Sequence, residues 1–181
     1  EMDPGMTVID LGAGDGYLTP YLSGAVGKKG KVLAVEIEDA LVGKLQALVK
    51  KRKLANVAVV KSTVTDLPAG EHADRILLLN TYPELADPVG MIATLTKRLK
   101  PGGWLVIIDY RPEADMPGPP MNERLSLQTI QAEARGAGLS LVATSSDLPR
   151  QYVAVFMRAE EIDVPPPAAP SAATPTKDPG S

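Results

Sequence analysis

Two hydrophobic periods take turns along this chain. Short apolar runs at Val8–Leu11, Lys31–Glu36, Val57–Val60, Arg75–Leu79 and Trp104–Asp109 have the length and β-branched content of strands buried on both faces. Between them, apolar residues recur every three or four positions. Leu41, Leu45 and Leu48 predict a helix over Asp39–Arg52, and Val89, Ile92, Leu95 and Leu99 predict one over Asp87–Leu99. Leu127, Ile130 and Ala134 predict another, N-capped by Ser126 and closed by Gly138. A shorter helix over Tyr17–Ala25 tolerates Pro20 within its opening turn. Two last strands, Ser140–Ser145 and Tyr152–Met157, are joined by S-D-L-P-R-Q, short enough for an antiparallel hairpin. Strands that alternate with helices predict an α/β protein with a mostly parallel sheet covered on both faces.

At 181 residues the chain has room for one such domain, over residues 1–160. Residues 161–181 read as a tail, because Pro, Ala, Ser and Thr with almost no large apolar residue bury too little surface to offset the entropy of ordering. A net charge of −3 does not favour a nucleic-acid partner. The cations of Lys50–Lys53 suit the C-terminus of their helix, with no aromatic platform beside them. Without cysteine there is no disulfide, thiolate zinc site or thiol nucleophile. His72, the only histidine, lies in a polar loop with no partner for a metal, so no metal is expected. No apolar run approaches the roughly 20 residues of a membrane span.

The chemistry concentrates where the first strand meets its helix, in D-L-G-A-G-D-G-Y from Asp10 to Tyr17. Glycines there bring backbone N–H groups close to a ligand at a helix start. A dinucleotide site reads G-x-G-x-x-G, but here the third glycine, Gly16, comes one residue early. Asp10, two residues before the turn, repels a pyrophosphate and attracts an ammonium, which suits the methionine end of S-adenosyl-L-methionine. Glu36, at the end of the second strand, is placed to accept both ribose hydroxyls. Asp66 in D-L-P is placed to take a hydrogen bond from the exocyclic amine, with Leu67 against the purine. Asn80, Thr81 and Tyr82, at a strand end, are expected to line the methyl-transfer centre.

Asp10–Tyr17 resembles motif I of the class I S-adenosylmethionine-dependent methyltransferases, and L-K-P-G-G-W-L-V-I-I-D and D-L-P add to the likeness. The resemblance, over about Gly5–Met157, implies a Rossmann-like seven-stranded mostly parallel sheet with helices on both faces and a C-terminal antiparallel hairpin. It implies a cofactor site of Asp10, Gly12, Ala13, Gly14, Gly16, Glu36, Ile37, Asp66, Leu67 and Asn80, and product S-adenosyl-L-homocysteine. The acceptor is expected to be a small molecule and the location cytoplasmic, as an inference from the cofactor. Candidates for the acceptor side are Tyr17, Tyr82, Glu84, Asp109, Tyr110 and Gln151, none with an assigned role.

The chain resembles bacterial small-molecule methyltransferases with G-A-G-x-G-Y, N-T-Y-H-H, D-Y and L-P-x-Q-Y, except that Pro83 and Glu84 stand where those have two histidines. That leaves Glu84 as a weak substitute for any acid or base role. Family members usually carry helices before motif I, and only a handful of residues precede it here. The sequence therefore predicts a cofactor site that binds but transfers slowly until upstream residues shield it. Two rivals share these features: a nicotinamide-dependent oxidoreductase, and a binding module of the same fold without chemistry.

Overall fold

The computed structural model describes residues 2–64, 67–68, 70–113 and 118–162. Asp66 and the tail from residue 163 lie outside the described residues. Seven strands form one sheet in the order β3-β2-β1-β4-β5-β7-β6. They are β1 Thr7–Leu11, β2 Lys31–Glu36, β3 Val57–Lys61, β4 Ala73–Leu79, β5 Leu99–Tyr110, β6 Leu139–Ser145 and β7 Gln151–Arg158. Only β7 runs against its neighbours, so the hairpin and parallel core agree with the expectation from sequence. The helices are α1 Thr19–Val26, α2 Asp39–Arg52, α3 Pro88–Arg98 and α4 Leu127–Gly136. No helix among the described residues is long and apolar enough to cross a membrane.

Strand alternation divides the core. Ile9, Leu11, Ile76, Leu78, Leu105 and Ile107 face α3 and α4, whose Ile92, Leu95, Ile130 and Ala134 are fully buried against them. Val8, Val32, Leu77 and Val106 point the other way, against Leu22 and Val26 of α1, and Leu45 of α2 covers Ala34. Asp87 caps α3 by accepting from the Gly90 N–H at 3.0 Å, and Ser126 caps α4 by accepting from Thr129 at 3.1 Å.

Several boundaries moved: β4 and β5 begin at Ala73 and Leu99 rather than at Arg75 and Trp104, and two helix ends shift. The first helix begins at Thr19 rather than Tyr17, because Pro20 is confined to a first turn and forbids helix upstream. The third ends at Arg98, since Leu99 already pairs with Ala73 of β4 ahead of the K-P-G-G bend.

From β1 the chain steps outward through β2 and β3, then returns to place β4 and β5 on β1's other side. The divergence opens a crevice at the carboxyl ends of β1 and β4, where open α/β sheets take their ligands.

Candidate active site

The glycine turn is anchored to β2 by the N–H groups of Gly12 and Ala13, both donating to the Val35 carbonyl at 2.9 Å. Gly12 and Gly14 have positive φ of 72° and 58° for different ends. A Cβ on Gly12 would stand 2.4 Å from the Thr81 side chain, so β1 and β4 approach this closely only across a glycine. A Cβ on Gly14 would meet nothing within 4 Å; its open side is the crevice itself. Gly16 lies under Leu45 and Leu48 and seats α2 on the turn.

Two carboxylates flank the turn from the α1/α2 face. Asp10 is 2% exposed, and its Oδ2 has no hydrogen-bond partner. Burial, with the Glu36 charge second, pushes its pKa up to about 7. Glu36 accepts from the Gly14 N–H at 2.8 Å, the Ile37 N–H at 2.7 Å and the Glu38 N–H at 3.2 Å. The turn thus presents one anchored carboxylate and one unsatisfied one.

Two cavities open from this turn and share Gly12, Gly14, Leu79 and Asn80. The smaller, about 360 Å³, runs past Glu36 and Ile37 to Leu41, Ser62–Val64, Glu84 and Leu85. The larger, about 620 Å³, runs past Asp10 and Ala13 to Tyr17, Tyr110, Leu148 and Gln151. Asn80 stands at the junction in a left-handed conformation with φ 54°. Its N–H donates to Ile108 at 2.9 Å, and its side-chain oxygen accepts from the Gln151 amide at 2.6 Å. That contact brings β7 to the end of β4.

The candidates taken from sequence divide accordingly. Gly12, Ala13, Gly14, Asp10, Glu36, Ile37 and Asn80 converge on the crevice, as do Tyr17, Tyr110 and Gln151. Four others do not stand where they were expected. Asp109 shares its side of β5 with Ile107, under α4, whereas Tyr110 faces the larger cavity; adjacent strand residues cannot serve one face. Asp109 is 2% exposed, its Oδ1 accepts from the Tyr110 N–H at 2.8 Å, and burial raises it to about 6 against the backbone hydrogen bonds that lower it. Tyr82 is 1% exposed in the main core, where its hydroxyl donates to Glu133 of α4 at 2.7 Å and burial raises its pKa. Glu84 lines the smaller cavity and not the larger. Leu67 is 5% exposed in the core, beyond the turn's cavities. Its loop is held there by Arg98, which donates to the carbonyls of Pro68 and Glu71 at 2.8 Å each.

Sequence reasoning missed Ser62, Thr63 and Val64, which directly follow β3 and line the smaller cavity. The rule that singled out Asn80, residues just past a strand's carboxyl end, would have found them.

The description "Methyltransferase domain" matches residues 2–152, most of the chain. This chain belongs to that methyltransferase family. The methyltransferase domain here is similar to an S-adenosylmethionine-dependent methyltransferase of Aquifex aeolicus, at 32% identity and a TM-score of 0.84 over 87% of this chain and 85% of that one. It is also 36% identical over 117 residues to the ubiquinone/menaquinone biosynthesis C-methyltransferase UbiE of Shewanella piezotolerans, covering 62% of this chain and 46% of that protein. The chain thus spans about half the length of the curated relatives it matches. An O-methyltransferase from neocarzinostatin biosynthesis, solved with S-adenosyl-L-homocysteine and 1,4-dihydroxy-2-naphthoic acid, shares the fold at 17% identity and a TM-score of 0.72 over 85% of this chain and 49% of that one.

Proposed function

We propose that this methyltransferase domain binds S-adenosyl-L-methionine across the glycine turn and transfers its methyl group to a small-molecule acceptor by in-line displacement. The observation that carries the reading is the orphaned carboxylate of Asp10: a buried acid whose Oδ2 has no partner in the protein calls for a cation, and the cofactor's ammonium is one. Gly14 leaves room for the ligand to lie against the backbone. Glu36 is the acceptor for the ribose hydroxyls, and the smaller cavity, with Ile37, Leu41 and Leu85, takes the adenine. When bound, the cofactor supplies an already electrophilic methyl; the protein's part is to orient it and to exclude water. The larger cavity, beyond Asn80, is the acceptor's side. The same cofactor supports a cytoplasmic location.

The nicotinamide reading fares worse for a physical reason. A pyrophosphate at this turn would face Asp10, Asp15 and Glu36 together. Calorimetric titration with S-adenosyl-L-homocysteine and with NADH tests it, and tighter binding of NADH would refute the proposal.

Glu36→Ala is expected to weaken S-adenosyl-L-homocysteine by about 1.5–3 kcal/mol for each charged hydrogen bond lost. Because the carboxylate also holds the Gly14 and Ile37 amides, the empty variant should melt lower than the parent. Unchanged affinity in a folded variant would remove Glu36 from the site.

A further inference from the structure

A further hollow lies at the other end of the sheet. About 910 Å³ in volume, it opens between the loop after α1, the loop after α2 and Glu71, by the amino ends of β1, β2 and β3, and it shares no residue with the two cavities at the glycine turn. Thr7 and Lys31, paired at the start of β1 and β2, line it, so the length of those strands, roughly 15 Å, separates it from the turn. Its charged lining among the described residues is Lys28, Lys29, Lys31 and Lys53 against Glu71. Lys31 is ion-paired with Glu71. The ammonium groups of Lys28, Lys29 and Lys53 are exposed and make no hydrogen bond or ion pair among the described residues. Of the carboxylates around Thr7, Asp3 does not line the hollow, and Asp74 accepts from the Thr7 N–H and from Lys100 at 2.7 Å each.

The helix ends do not account for these cations. Lysines near a helix C-terminus ordinarily answer its free carbonyls, but here neutral donors already do. The Asn56 amide donates to the carbonyls of Ser23 at 3.0 Å and Gly27 at 2.9 Å, and the Gly5 N–H donates to Val26 at 2.8 Å, which closes α1. The N–H groups of Lys53 and Leu54 close α2 by donating to Lys50 at 3.2 Å and Val49 at 3.0 Å. Lys53 also has φ 53°, in the left-handed region where glycine is the unstrained residue. Three unpaired cations, one of them held at a backbone cost, therefore converge on one hollow. We propose that it is a binding site for a small soluble polyanion, a molecule that carries two or more phosphate groups. An ammonium is a point charge that meets phosphate oxygens from any direction, and clustered phosphates answer several such charges at once. The volume suits a small molecule. Because Lys28 and Lys29 stand on one loop and Lys53 on another across the hollow, they enclose a ligand rather than present one plane to a bilayer.

The test uses the whole chain without cofactor, at about 150 mM salt, where exposed charges beyond roughly 8 Å are screened. Sodium tripolyphosphate titrated into isotope-labelled protein should shift the amide resonances of Gly24, Gly30 and Asn56 saturably, with Kd below about 1 mM, and leave those of Gly12 and Gly14 in place. Lys28→Gln with Lys29→Gln should weaken binding by about tenfold. Lys53→Gly should weaken it by about threefold or more while raising the melting temperature, so that lost binding is not lost folding. Lys50→Gln with Lys51→Gln, at positions that do not line the hollow, should stay within about twofold of the parent. Shifts that do not saturate, shifts that centre on the glycine turn, or an equal loss in the Lys50 and Lys51 variant overturn the proposal. Binding to phosphatidylglycerol vesicles that tripolyphosphate does not displace also overturns it, since this face would then be a membrane contact.

Discussion

Gly14→Val leaves a folded protein that no longer binds S-adenosyl-L-homocysteine, with affinity down by about 100-fold or more. The branched side chain meets no protein atom within 4 Å of its Cβ, so it does not break the core. It projects into the opening shared by the two cavities, where the ligand has to lie against the backbone. Folding still suffers, since an L-residue at φ 58° costs about 1–2 kcal/mol, or a few degrees in melting temperature. Gly12→Ala behaves in the opposite order: its Cβ collides with Thr81 at 2.4 Å, so stability falls first. Calorimetry on variants whose fold is verified by circular dichroism separates the cases. Binding within tenfold of the parent in Gly14→Val would place the ligand elsewhere.

Asp10→Asn should stabilise the empty protein at pH 8 and cost most of its cofactor affinity. The Asp10 carboxyl has an ordinary pKa of 3.8 when unfolded and about 7 when folded, with burial as the main cause. Between those values the folded chain holds a proton that the unfolded chain has released. This group's contribution is therefore most favourable at low pH, declines as pH rises toward 7, and is fully a penalty above it. At roughly 1.4 kcal/mol per pH unit, the variant's advantage grows to at most about 4 kcal/mol by pH 8 and vanishes near pH 4.

Binding runs the other way. An ammonium needs the charged carboxylate, so S-adenosyl-L-homocysteine should expel a proton below pH 7, and affinity should rise with pH until it levels near 7. In Asp10→Asn that slope disappears and affinity drops by about 100-fold, the loss of charge-assisted hydrogen bonding. Titrations in two buffers of different ionisation enthalpy count the proton, and denaturant melts from pH 4 to 8 give the stability. A flat affinity profile in the parent, or a variant less stable than the parent at pH 8, would show that Asp10 is satisfied by some other group.

Much of this arrangement was written locally. Strand and helix periods reflect which side of each element is buried, and they placed seven strands and the four helices with errors at element ends, among them Pro20, Ala73 and the five residues from Leu99 to Gly103. The glycine turn, Asp10 and Glu36 were legible because each stands at the carboxyl end of a strand that the local pattern delimits, and β1 and β2 pair in parallel with those ends side by side, Asp10↔Ala34 and Leu11↔Val35. The acceptor side was not legible in that way. Asp109 and Tyr110 look equivalent as letters, yet pleating sends one beneath α4 and the other into the larger cavity. Tyr82 and Leu67 follow strand or loop ends like true lining residues, but the core had room for their bulk, and Glu133 and Arg98, 51 and roughly 30 residues away in sequence, hold that arrangement in place.

What the sequence determined by itself was the alternation of elements, the family, and the charged groups that flank the turn. The side chains that face the crevice were decided only by tertiary structure. Beyond the last residue of a strand, a side chain's direction depends on where the chain turns next, and packing between distant segments sets that turn.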